Sequence, residues 1–77
     1  MTVDEFRAVA DANPFLPFAI RLTGGGEVHV RLRKYLMMSP SGKTVVVAQS
    51  DDTVNLVDLS LVEKVELRPA LRAERRA

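Results

Sequence analysis

Apolar residues at the start of the chain recur at helical spacing: Val3, Phe6, Val9 and Ala10 fall on one stripe. Thr2 stands where an N-cap belongs, and Glu5, three residues on, completes a capping box. Asp4 and Glu5 also suit the positive end of a helix. Asn13 precedes Pro14, which drives it out of the helical region, so the helix should stop near Ala12.

From Pro17 the period changes to two. Phe18, Ile20 and Leu22 alternate with Ala19, Arg21 and Thr23; after three glycines, Val28, Val30 and Leu32 alternate with His29, Arg31 and Arg33. This is the pattern of a hairpin. Apolar residues face one another only when paired positions sum to an even number, since a one-residue slip turns a strand over. A loop of Gly24, Gly25 and Gly26 meets this condition and pairs Leu22 with Val28, Ile20 with Val30 and Phe18 with Leu32.

"SPSGK" (Ser39 to Lys43) is a turn between "YLMM" and "TVVVAQ". The unbroken run Val45 to Ala48 predicts a central strand covered on both faces. Around a Ser50-Asp51-Asp52 loop, parity pairs Val46 with Leu56 and Ala48 with Val54. Asp58 to Leu61 then reads as one tight turn and Val62 to Leu67 as a last strand, because β-branched valines favour a strand over the alternative short helix. The expected fold is α+β and mainly β: an N-terminal helix on a strongly bent five- to six-stranded antiparallel sheet or small half-open barrel. Residues 1–67 form one domain, and residues 68–77, with four arginines, form a flexible or loosely helical tail.

"NPFLPFAIRLTGGG", "MMSPSGKTVVV" and "VNLVDLSLVEKVEL" together resemble a family of small uncharacterised bacterial proteins. That family shows a helix, a Pro-Phe-x-Pro-Phe element (Pro14 to Phe18 here), a Gly-turn hairpin and a closing Asp-Leu before a Val-rich strand. Many members carry a His-Pro-Glu-like step where this chain has Arg33, Lys34 and Tyr35. The resemblance implies a fold and no activity. A weaker, fold-level likeness is to Sm-like RNA-binding proteins, which also place a helix before a short bent barrel.

Composition narrows the function classes. The 77 residues are 47% apolar and 27% charged with a net charge of +1, a globular balance with no strong pull toward nucleic acid or membrane. The chain lacks cysteine, which removes disulfides and cysteine-based zinc sites, and its single His29 cannot build a histidine cage. A cytoplasmic, non-membrane protein without cofactor or metal is expected. "SPSGKT" ends like a phosphate-binding loop, but Met37 stands where the first glycine belongs and a strand follows. The glycine loop of the first hairpin likewise lacks the spacing and the helix of a phosphate cradle. His29 is the one side chain with an ordinary pKa near neutrality, yet the pairing above sets it opposite Arg21, with no acid to orient it. Asp51, Asp52 and Asp58 have turn and cap roles that explain them. No catalytic residue is assigned, and the chain is read as no enzyme.

What remains is a basic strip on the outer face of the first hairpin: Arg21, His29 and Arg31, continued by Arg33 and Lys34 and interrupted by Glu27. Arginine suits phosphate oxygens, and Tyr35 could stack a base. The leading expectation is a non-enzymatic binding or assembly module whose partner is a second copy, through edge strands, or another protein. The alternative is an RNA-binding protein that uses the strip. Phe15 and Phe18 are expected to be buried, Phe15 in the corner against the helix.

Overall fold

The capping box forms as the Thr2-x-x-Glu5 spacing requires. Thr2 Oγ1 accepts from the Glu5 N–H at 3.1 Å, and Glu5 Oε1 accepts from the Thr2 N–H at 2.8 Å. The helix α1 (Val3–Ala10) follows and buries Phe6 and Ala10. It ends at an Asp11 cap, slightly before the expected Ala12. The structure, a computed structural model, describes residues 1–71.

Six strands make two sheets rather than one. β1 (Phe18–Leu22), β2 (Glu27–Val30) and β6 (Val62–Leu67) form an antiparallel sheet in the order β2-β1-β6; β3 (Leu36–Met38), β4 (Thr44–Ala48) and β5 (Val54–Asp58) form a second in the order β3-β4-β5. The fold is thus α+β and mainly β, as expected, but neither a single bent sheet nor a closed barrel. Short 3-10 turns carry the chain between the sheets at Arg33–Tyr35 and Leu59–Leu61. Asp58 caps the second of these through Ser60, so the expected tight turn and final strand are both present.

The first hairpin keeps its predicted parity but sits two positions away in register. Phe18 pairs with Val30, Ile20 with Val28 and Arg21 with Glu27. Leu32 therefore lies outside β2. The loop is Thr23-Gly24-Gly25: the Gly25 N–H donates to Leu22 O, the Leu22 N–H donates to Gly26 O, and Gly25 takes φ +98°. Only this one of the three glycines requires a positive φ, and parity alone admits both loops. The observed register also sets Arg21 opposite Glu27, a favourable cross-strand pair. The second loop follows the sequence expectation: Val46 pairs with Leu56 and Ala48 with Val54, with Asp52 at φ +72° ending the loop.

The core lies between the sheets and under α1. Phe6, Phe18, Ile20, Val30, Val45 and Val47 are fully buried. The rings of Phe6 and Phe18 meet edge to face at 5.9 Å between centroids. Phe18 is buried as expected. Phe15 is half-buried rather than buried; its ring packs on Phe18 at 5.8 Å, and it lies against the core cluster that includes Phe6 and Ala10 of α1. Pro17 enters β1 fully buried.

One further expectation needs correction. β4 is central in its sheet, but it is covered on one face only: Val45 and Val47 point into the core, whereas Val46 is half-buried on the open side. The first residues of the arginine-rich segment make defined contacts. The Arg68 N–H donates to Pro17 O at 2.7 Å, and Leu71 is 4% exposed. Leu71 is the one large apolar side chain of that segment, and its carbonyl accepts from Arg31 Nη1 at 3.4 Å. The rest of the expected tail, 72–77, lies outside the described residues.

Candidate functional site

The predicted basic strip is divided among local acids. Arg21 Nη1 lies 2.9 Å from Glu27 Oε2, and His29 Nε2 donates to Glu27 Oε1 at 3.0 Å. Arg68 reaches the same Glu27 at 2.9 Å and Glu66 at 2.6 Å, and Lys64 pairs with Glu66 at 3.0 Å. Glu27 does not interrupt the strip; it collects it. The acid expected to be missing beside His29 is Glu27, two residues earlier on the same face of β2, while the hairpin register puts Ala19, not Arg21, opposite His29. Hydrogen bonds from His29 and then Arg68 hold the Glu27 carboxyl below the usual 4.5. Those from Arg68 and then Lys64 hold Glu66 down to about 2.

The other three residues of the strip make contacts of their own. Arg31 Nη1 donates to Leu71 O at 3.4 Å. Arg33 turns toward the helix and meets Asp11 Oδ1 at 2.7 Å. Lys34 lies over the Tyr35 ring at 5.8 Å.

The remaining acids behave as turn chemistry predicts. Asp51 Oδ1 accepts from the Thr53 N–H and hydroxyl at 3.1 and 2.7 Å, and Asp58 Oδ1 from those of Ser60 at 2.9 and 2.8 Å. These bonds hold both carboxyls below their ordinary value. Among the described residues no three His, Asp or Glu side chains converge on a metal position. No helix among them is long and apolar enough to cross a membrane.

Two other surfaces stand out. The first is the outer face of β3-β4-β5. Met37 pairs with Val46 and Val46 with Leu56, so the three make one row across the sheet; Ala48 and Val54 make the next. Leu56 is 74% exposed, Met37 63% and Val54 57%. No charged residue sits in either row, and the charged residue of the next pair along, Asp58, is turned to Ser60. Alternation of Val54 and Leu56 announced this face, but the valine run in β4 suggested that something covered it.

The edges of the two sheets differ in the same respect. β6 carries Glu63, Lys64 and Glu66, β2 carries Glu27 and His29, and β3 spans only Leu36–Met38. Charge and shortness are the usual guards on an edge strand. β5 has no charge from Val54 to Val57. The Gln49 N–H donates to Thr53 O and the Leu59 N–H to Lys43 O, which makes the odd-numbered residues of β5 the ones bonded to β4. The N–H and C=O groups of Val54 and Leu56 therefore point away from the sheet.

The second surface is a cleft of about 320 Å³ between the C-terminal half of α1 and β3, lined by Arg7, Asp11, Arg33, Leu36 and Met38 among others. Nothing in the sequence pattern signalled it, since Arg7 and Arg33 are far apart in the chain. No family model, curated protein or solved structure matches this chain.

Proposed function

We propose that this protein is a small non-enzymatic assembly module that pairs with a second copy of itself along β5. The observation that carries this reading is an unguarded edge, with outward-facing backbone groups at Val54 and Leu56, beside an exposed apolar face. An antiparallel pair about a two-fold axis at Asn55 sets each Val54 beside Leu56 of the second copy. The free N–H and C=O groups then meet, and Met37, Val46 and Leu56 continue into Val54 and Ala48 across the joint. A two-fold axis makes the same surface serve both copies.

Exposed side-chain area of Met37, Val54 and Leu56 comes to roughly 300–400 Å², the size of the largest apolar patch on an ordinary monomer. Stable complexes bury about 800 Å² per partner, so the association is weak and concentration-dependent. Analytical ultracentrifugation should show a monomer–dimer equilibrium that Leu56→Lys abolishes. Asn55→Cys, in a chain without native cysteine, should oxidise to a covalent dimer. A strict monomer at about 1 mM, well above the affinity range of weak complexes, sinks the reading.

The RNA-binding alternative has less support, because Arg21 and His29 share Glu27 and Arg33 holds Asp11. It predicts affinity for single-stranded RNA that falls steeply with salt and weakens in Arg21→Ala and Arg31→Ala.

A further inference from the structure

The cleft between α1 and β3 combines three kinds of group. The first is an open strand edge. The Ser39 N–H donates to Thr44 O, so residues 37 and 39 are the ones bonded to β4, and Met38 and Leu36 face outward. The Leu36 N–H is used by Arg33 O. That leaves the Met38 N–H, the Met38 C=O and the Leu36 C=O open along the cleft.

The second is positive charge. Arg7 and Arg33 both line the cleft, and Arg33 is held by Asp11 at 2.7 Å. This pair is half-exposed, with 54% and 52% of the two side chains accessible, and an exposed pair is readily exchanged for another anion. Two guanidinium groups outweigh one carboxylate together with the half-charge of about −0.5 at the helix C-terminus. The third is an apolar floor of Ala10, Leu36, Met38 and Pro40.

We propose that the cleft binds the C-terminal end of an extended peptide, which adds to β3 as a further strand while Arg7 and Arg33 take its terminal carboxylate. Main-chain pairing with an edge strand gives such a ligand its direction, and a bidentate guanidinium recognises its planar carboxylate. The bond from Arg33 to Asp11 acts as the internal competitor that the ligand displaces. This site is separate from the β5 edge, so it does not depend on self-association.

The test uses the full chain, labelled with 15N, and the peptide acetyl-Gly-Thr-Val-Val with either a free or an amidated C-terminus. The free acid should shift the Met38 amide resonance and bind at least tenfold more tightly than the amide. Arg7→Gln, on an exposed helix position, should weaken the free acid about tenfold and leave the amide unchanged. Asp11→Asn should tighten the acid several-fold by releasing Arg33. Equal binding of acid and amide overturns the proposal, as does acid binding that leaves Met38 unmoved. Acetate competing as well as the peptide would remove any role for the β3 edge and also overturn it.

Discussion

Gly42 is the position where one added methyl group tests the packing of α1 on the sheets. It closes the β3–β4 turn with φ +79° and is buried beneath the helix. A Cβ placed there would stand 2.5 Å from Val3 Cγ1, 3.2 Å from Val3 Cγ2 and 3.3 Å from Arg7 Nη2. The arginine tip can move, but the valine is part of the packed helix stripe. Left-handed backbone at alanine costs about 1–2 kcal/mol. Forcing Val3 aside adds about 1–3 kcal/mol, the usual cost of overpacking. Gly42→Ala should therefore lose about 2–5 kcal/mol, a large part of what a domain of this size has. Urea denaturation followed by circular dichroism reads this as a fall in midpoint of about 1 M or more at unchanged slope. The two contributions separate in a Val3→Ala background, where the same substitution should cost only the backbone part, about 1–2 kcal/mol. Gly24→Ala is the control, since nothing lies within 4 Å of a Cβ there. A loss below about 0.5 kcal/mol for Gly42→Ala, the range of neutral surface changes, refutes the argument. An identical loss in both backgrounds refutes the steric half of it.

Thr2→Ala removes one half of the capping box and should cost about 1 kcal/mol in the same denaturation assay. Phe18→Ala empties the centre of the core and should cost about 3–5 kcal/mol, whereas Phe15→Ala, at a half-buried ring, should cost clearly less. The folded state holds Glu66 at about 2 against an ordinary 4.5, so it favours the ionised carboxylate. That stabilisation is complete above the unfolded value of 4.5 and is lost as pH falls toward 2; Glu27, also lowered, adds in the same direction. Thermal midpoints measured across this interval should drop, and Glu66→Gln should flatten the drop.

Periodicity made the local elements legible. The capping box, the alternation in β1 and β2, the Ser50-Asp51-Asp52 loop and the β4–β5 register all follow from short-range spacing. Three consecutive glycines left two hairpin registers of equal parity, and the difference lay in the Arg21–Glu27 pair that only one of them makes. The site was hidden for a related reason. Arg33 joins Asp11, and Arg68 joins Glu27, across separations that no pattern in the chain displays. Leu71 is buried, and nothing in the charged run around it signals that burial.

The two sheets also differ in how far apart in the chain their strands lie. β3, β4 and β5 come from one uninterrupted segment, Leu36 to Asp58, joined by short turns. The other sheet needs β1 to find β6, where Phe18 meets Leu67. Closing that long loop is entropically the slower event, so the meander can form before the sheet that joins the two chain ends. Substitutions at the late seam, such as Arg68→Ala, should then mainly speed unfolding, while those at Val45 or Val57 should slow folding.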